Sequence, residues 1–216
     1  MTQSTDTDHD PQGGLMKEVS VMEKIKAVGA LLEGHFVYTS GRHGNRYINK
    51  DAIYVHPRLT GELCLYLAGR FLAERPQVVV GPAMGGLILS QWVAYQLSEL
   101  VHSDAMSVYA EKSADGGFVV KRGYDKIVAG KTVLVVEDVL TTGGSVKKVV
   151  EVVRAIGGEV VGVGAICNRG GVTAFDIGAP RLESLVNITL DSWASEECSF
   201  CEADIPVSMD VGKGKK

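Results

Sequence analysis

Apolar residues in this chain gather into short runs rich in β-branched side chains, separated by longer stretches in which they recur with a helical spacing. Val133 to Val136 has the composition of a strand buried on both faces of a parallel sheet. Val78 to Val80, Met106 to Tyr109, Val160 to Ile166 and Leu182 to Ile188 read as further short strands, the last of these as the final one. Helices are predicted between them over Leu59 to Ala73, ahead of Pro76, over Leu87 to about Leu100, and over Val146 to Ile156. Upstream, Val21, Ile25, Val28 and Leu32 mark one face of a helix from Met16 to Leu32, ended by Gly34. His35 to Asn49 reads as two strands around a polar turn at Ser40 to Asn45. Arg42, His43 and Arg46 are expected to project from it, and on residue types alone they make a solvated hairpin tip. Strands alternate with helices, so the predicted fold is α/β: a parallel β-sheet flanked by helices, with the N-terminal helix and hairpin as a small hood over its carboxyl edge.

Length and composition set the boundaries. With 216 residues the chain fits a single domain with a real core. Residues 1–14 are polar, contain Pro and Gly, and are expected to be disordered. The hood elements then occupy 15–55, the core about 56–190, and an irregular C-terminal segment 191–216, closing on the solvated basic tail of Lys213, Lys215 and Lys216. Acidic and basic residues are mixed at a net charge of −4, which leaves no electrostatic footprint for nucleic acid or an anionic membrane. No long uncharged apolar span and no signal-peptide pattern occurs, so a soluble, cytoplasmic protein is expected. Cys64 and Cys167 lie in apolar runs and read as buried inert thiols. Cys198 and Cys201 form a lone C-x-x-C; zinc would need two more ligands, and no second Cys/His pair supplies them. A structural role or a redox-sensitive thiol pair is the expectation there. His35 and His56 have no partner pattern and are read as structural.

The chemistry concentrates where the central strand changes character. In KTVLVVEDVLTTGGS, Lys131 to Ser145, the apolar run stops at Glu137 and Asp138. Adjacent carboxylates are costly inside a sheet, so they are expected at its carboxyl end, where open α/β sheets bind ligands. Thr141, Thr142, Gly143, Gly144 and Ser145 follow, small and hydroxylated, just before a helix whose first N–H groups favour an anion. One turn thus offers acceptors for sugar hydroxyls beside donors for a phosphate. Ser145 is not preceded by Lys, so this is not a Walker A loop. A second strand, glycine-rich turn and helix recurs at Gly81-Pro82-Ala83-Met84-Gly85-Gly86, and would add another anion pocket if the two strands are close in space. Glu111 to Arg122, with Gly116-Gly117, suggests a mobile arm returning as a β-ribbon; a plain surface hairpin is equally compatible with its composition.

The signature around Glu137 resembles that of the type I phosphoribosyltransferases. Residues 31–50, 78–90 and 106–190 resemble orotate phosphoribosyltransferases in particular, through F-x-x-x-S-G-R at Phe36 to Arg42, P-A-x-G-G at Pro82 to Gly86, a flexible loop, the signature, and an Arg after the next strand. The E-C-x-x-C segment resembles one branch of that family. The resemblance implies that Glu137 and Asp138 bind the ribose hydroxyls of phosphoribosyl pyrophosphate (PRPP) and serve catalysis, and that Thr141 to Ser145 hold the 5-phosphate. Ala83, Met84, Gly85 and Gly86 would face the pyrophosphate, in a loop where family members often have a cis peptide. Arg169, with Thr142 and Phe36, would bind orotate, the guanidinium gripping its carboxylate in a bidentate fork. Mg²⁺ is implied as cofactor, carried by diphosphate and ribose oxygens with water and with no direct protein ligand. A homodimer with each flexible loop reaching over the neighbour's site is likewise implied.

Two departures stand out. Well-studied members have Lys where Thr39 stands, and their flexible loop carries an Arg-Lys pair, a further Lys and a His. This chain has Ala110, Glu111, Lys112 and Gly116-Gly117 there, so the loop lysine does not carry over; if a loop cation reaches the pyrophosphate it is Lys112, Lys121 or Arg122, and Lys112 is nearest the family position. The expected reaction is orotate plus PRPP giving orotidine 5′-monophosphate and pyrophosphate, in pyrimidine biosynthesis. A purine or other base phosphoribosyltransferase, or a PRPP-sensing regulator without catalysis, remain the alternatives.

Overall fold

A computed structural model describes residues 21–38 and 40–209. Residues 1–14, Thr39 and the lysines of the basic tail, about which the sequence raises expectations, lie outside the described residues.

The central sheet has six strands in the order β5-β4-β3-β6-β7-β8. Its parallel members are β3 (Val78–Pro82), β4 (Met106–Lys112), β6 (Thr132–Leu140), β7 (Glu159–Asn168) and β8 (Leu182–Asn187). At one edge β5 (Phe118–Val119) runs antiparallel to β4. The expected α/β architecture, a mostly parallel sheet flanked by helices, is therefore what the chain adopts.

Successive side chains of a strand face opposite ways, and β6 covers both faces with apolar residues. Leu134 and Val136 pack with Leu63, Leu67, Leu89, Val93 and Leu97, under helices α3 (Pro57–Gly69) and α4 (Gly85–Val101). Val133 and Val135 pack with Val146, Val149, Val150 and Val153 of α6 (Gly144–Ala155), on the other side. Each such side chain contributes roughly 1.5–3 kcal/mol on burial. A carboxylate in place of Val135 would have no partner and would break the sheet's centre.

The N-terminal region differs in its boundaries from the sequence expectation. The first helix, α1 (residues 21–27 as described), stops before Gly29, whose φ of 70° lets Gly29 N–H reach Lys26 O while Ala30 N–H reaches Ile25 O. That paired bond closes a helix C-terminus and releases Leu31 and Leu32 into a strand, so the helix does not run on to Leu32. β1 (Leu31–Val37) pairs antiparallel with β2 (His43–Ile48), and β2 in turn pairs with a strand not anticipated, β9 (Ser192–Trp193). Leu182 to Asn187 is thus not the last strand. Two short helices, α2 (Asp51–Tyr54) and α5 (Tyr124–Val128), also escaped the periodicity, being about one turn each. Beyond Trp193 the chain is less irregular than its composition suggests, with a 3-10 turn at Ser195–Glu197 and α7 at Ser199–Glu202.

The expected solvated tip holds for two of the hairpin's three basic residues and fails for His43. Arg42 donates from Nε to Ser192 Oγ at 3.0 Å and from Nη2 to Ser192 O at 2.6 Å. His43 is buried on β2. Arg42 and Arg46 are both exposed, Arg46 lying 3.6 Å from Glu33. Among the described residues, no helix is long and apolar enough to cross a membrane.

Candidate active site

Chain order reverses between β3 and β6. From β3 the chain moves outward to β4, returns to β6 on β3's other side, and continues to β7 and β8. Ligands of open α/β sheets bind outside the carboxyl ends of strands at such a switch point. The β3–β6 ladder stops at Val80 and Val135, whereas β6 stays paired with β7 as far as Leu140 and Asn168. Past Val135 the two central strands separate, and the gap between them is the candidate site.

Glu137 and Asp138 occupy that gap, and β6 does not end at them as the sequence suggested: it carries them within a paired strand. Alternation sends them to opposite faces. Asp138 points to the α3/α4 side and is buried, tolerated because every oxygen is partnered. Its Oδ1 accepts from Val139 N–H at 2.7 Å; its Oδ2 accepts from Lys50 Nζ at 2.8 Å and from Tyr54 OH at 3.3 Å. Half-burial alone would lower the Lys50 pKa, but the hydrogen bond and charge of Asp138, with Glu137 and Asp51 adding, outweigh it and hold the ammonium above its ordinary value. Burial first, then the Asp138 charge, pushes the Tyr54 phenol far up, so it stays a donor. Glu137 faces the α6 side beside the loop, accepting from Asp138 N–H at 3.1 Å. Burial, then the adjacent Asp138 charge, raises its carboxyl well above the usual range.

The loop wraps the Glu137 side. Glu137 and the run from Val139 to Val146 line an open depression, and Gly143, at φ 73°, turns the chain into α6. Ile177 and Val172 lie within 3 Å of where a Cβ on Gly143 would stand, so both dihedral and space demand glycine. Across the gap, Ala83-Met84 is a cis peptide, as the family resemblance implied. A Cβ on Gly85 would strike Asp138 Oδ2 at 1.8 Å, which puts this second loop's backbone against the carboxylate. Tyr54 OH shares its one proton between Gly85 O at 3.0 Å and Asp138 Oδ2 at 3.3 Å, so one side chain ties the loop to Asp138. The two glycine-rich turns are therefore neighbours, the condition left open by the sequence.

Arg169 follows β7 and donates from Nε to Thr141 Oγ1 at 3.0 Å. Its guanidinium lies over the Tyr38 ring, 5.6 Å from the centroid. Tyr38 is held by its hydroxyl, which donates to Arg46 O at 2.6 Å, and by Gly44, whose missing side chain leaves room for the ring. Phe36 is buried against Tyr47 in the hood, and the hairpin aromatic on Arg169 is Tyr38. Lys112 stands exposed at the end of β4, whose Ala110 O accepts from Ala83 N–H at 2.8 Å. Lys50, Tyr54 and Tyr38 were missed by sequence reasoning. Tyr38 occupies an unspecified position of F-x-x-x-S-G-R, Lys50 and Tyr54 belong to no motif, and all three reach the site only through the hood's tertiary placement.

This arrangement offers hydroxyl acceptors between two backbone-lined anion loops, with one cation at the far end. The Phosphoribosyl transferase domain family matches residues 51–193. The orotate phosphoribosyltransferase of Pelotomaculum thermopropionicum is 43% identical over 191 residues, covering 88% of this chain and 95% of that protein. That of Thermotoga maritima is 39% identical over 199 residues, covering 91% and 100% respectively. The chain belongs to the orotate phosphoribosyltransferase family. Among solved structures, the family member from Aeropyrum pernix aligns with a TM-score of 0.62 at 28% identity, over 77% of this chain and 93% of that one. An adenine phosphoribosyltransferase from Thermoanaerobacter pseudethanolicus aligns at 0.56 with 16% identity, a likeness of fold alone.

Proposed function

We propose that the protein transfers the 5-phosphoribosyl group of PRPP to orotate, releasing pyrophosphate and forming orotidine 5′-monophosphate. The observation that carries this reading is the carboxylate pair set between two anion loops at the switch point, with Arg169 bonded to the first residue of one loop. Ribose hydroxyls would donate to Glu137 and Asp138, the 5-phosphate would take the N–H and hydroxyl groups of Thr141 to Ser145, and the pyrophosphate would face Ala83 to Gly86. The orotate carboxylate would meet Arg169, already oriented by Thr141 and Tyr38.

As the bond from ribose C1 to pyrophosphate oxygen breaks and a bond to a ring nitrogen of orotate forms, positive charge grows on the sugar and negative charge on the leaving group. Fixed carboxylates beside the sugar and fixed donors around the phosphates stabilise that separation without reorganising. The nitrogen's proton leaves to solvent, and no covalent nucleophile is needed. The donor set fits Mg²⁺ only indirectly: Asp138 already accepts from Val139 N–H, Lys50 and Tyr54 and keeps one position on Oδ1 for a ribose hydroxyl, while Glu137 would accept from a metal-bound water. When bound, the ion would neutralise diphosphate charge. The family resemblance supports a cytoplasmic homodimer as the working unit.

A base-exchange assay tests the reading. With PRPP and Mg²⁺, orotate should be consumed and uracil, adenine, hypoxanthine and xanthine left unused. Turnover of a purine, or of nothing, would reject it in favour of another acceptor or a PRPP sensor.

A further inference from the structure

The lone C-x-x-C acquires partners from the other end of the chain. α7 places Cys198 and Cys201 against two histidines of the hood, His35 on β1 and His43 on β2. One nitrogen or sulfur from each of the four lies within 4.8 Å of the other three. His35 Nε2 is 2.8 Å from His43 Nδ1 and 3.5 Å from Cys198 Sγ; Cys201 Sγ is 3.3 Å from His43 Nδ1 and 3.7 Å from His35 Nε2. Bonds of about 2.0 Å to nitrogen and 2.3 Å to sulfur at the centre of a tetrahedron set ligand atoms roughly 3.3–3.8 Å apart. The nitrogen–sulfur distances match that range, and the two nitrogens need part only slightly.

Hydrogen bonding alone leaves the cluster over-subscribed. Ile205 O, 2.7 Å from His35 Nδ1, can only accept, so Nδ1 carries the proton and Nε2 has a single lone pair. His43 Nδ1, Cys198 Sγ and Cys201 Sγ all converge on that lone pair, in a place where His35, His43 and Cys198 are buried. A carbonyl holding the far nitrogen of a histidine is also the arrangement that fixes a metal ligand's tautomer. Two thiolates and two neutral imidazoles would neutralise a divalent ion, which removes the cost of burying the charges singly.

We propose that His35, His43, Cys198 and Cys201 form a structural zinc site that clamps the C-terminal segment onto the hood. Four protein ligands complete a tetrahedron and leave no position for substrate, which separates this site from a catalytic one. The clamp closes beside the pairing of β2 with β9 and the bond from Ser208 N–H to His35 O at 2.7 Å. It therefore fastens the hairpin that carries Tyr38.

Elemental analysis of tag-free protein purified without chelator should find one zinc per chain. Replacement by Co²⁺ should give the d–d bands of a tetrahedral ion with thiolate charge transfer, and both should vanish in the Cys198→Ser, Cys201→Ser double variant. Chelation under reducing conditions should lower Tm and expose two thiols to a thiol reagent. These readouts on the wild-type chain hold even if the double variant folds poorly. Metal-free protein whose reduced form binds no Co²⁺, a Cys198–Cys201 disulfide in freshly purified protein, or zinc retained by the double variant would each overturn the proposal.

Discussion

Lys50 Nζ lies 2.8 Å from Asp138 Oδ2, so a hood residue neutralises the buried carboxylate on the central strand. The contact links two parts of the chain that share no motif, and it explains why Asp138 can be 3% exposed within a paired strand. Losing one partner of a fully buried ion pair costs about 3–5 kcal/mol. The Lys50 side chain is 40% exposed, so water screens part of that loss and about 1–3 kcal/mol is expected for Lys50→Ala. Its Tm should fall by several degrees, and PRPP binding should shift to higher pH, because Glu137 loses a nearby cation that favours its ionised form and keeps its proton longer. Differential scanning calorimetry and a pH series of PRPP titrations check both; an unchanged binding profile would disconnect Lys50 from the site.

Glu137 gives the opposite sign. Its carboxyl is raised above the ordinary 4.5 in the folded protein, so between that value and the raised one the folded state holds a proton that the unfolded state has released. Stability contributed by Glu137 therefore falls as pH rises through this window. Glu137→Gln should be more stable than the wild type without substrate, by a margin that grows with pH and levels off above the raised value. Turnover should fall meanwhile, because the charge beside the sugar is gone. Melting curves across pH on both proteins test the sign. A margin that shrank with rising pH would contradict the burial argument.

If Arg169 meets the orotate carboxylate as proposed, Tyr38 supports it from beneath. Arg169→Ala should raise KM for orotate and leave PRPP affinity nearly unchanged. Removing one side of a hydrogen-bonded charge pair costs about 2–5 kcal/mol when the other is left buried, and the low end applies to a partly open guanidinium. That is an effect on the order of 30-fold. Tyr38→Leu removes a cation–π contact worth about 0.5–1 kcal/mol and should raise the same KM a few-fold. Steady-state kinetics with each substrate varied separates these outcomes; equal loss for both substrates would mean that the variant had disturbed the fold.

What could be read from sequence was local. The valine run from Val133 to Val136 and the glycines at Gly143 and Gly144 each announce an element within a few residues and stand where they were expected, whereas the paired carboxylates lie within the strand rather than at its end. Missed features depend on contacts between distant positions. His35 and Cys198 mean little apart and much once β1 and α7 meet. Lys50 follows a strand with nothing around it to mark a site. β9 is two residues of unremarkable composition, made a strand only by His43 and Gly44 across from it. The continuation of β6 through Glu137 and Asp138 was hidden for a related reason: the cost of burying a carboxylate is judged from its neighbours in space, and Lys50 and Tyr54 are not its neighbours in sequence.

The missing family lysine of the flexible loop leaves three cations, and the structure gives them different surroundings. Arg122 is engaged, its Nε 2.8 Å from Glu111 Oε1 at the base of the ribbon. Lys121 follows Phe118 and Val120, both buried in the core, which anchors the returning strand on α6. Lys112 stands exposed at the ribbon's outgoing end, while Lys148 Nζ holds the tip by donating to Gly116 O at 2.7 Å. Ala110 O binds Ala83 N–H, so the ribbon starts beside the loop proposed to face the pyrophosphate, and Lys112 is the cation nearest that start. A contact made mainly on closure acts on the transition state, so Lys112→Ala should lower kcat well beyond its effect on PRPP affinity. Arg122→Ala and Lys121→Ala should be milder, showing first as a looser ribbon in hydrogen exchange. Mixing Lys112→Ala subunits with Asp138→Asn subunits tests whether the ribbon serves the neighbour. In a shared-site dimer, one of the mixed dimer's two sites receives both intact parts and activity partly returns. No recovery would confine each ribbon to its own subunit, and a wild-type rate for Lys112→Ala would remove Lys112 from the chemistry.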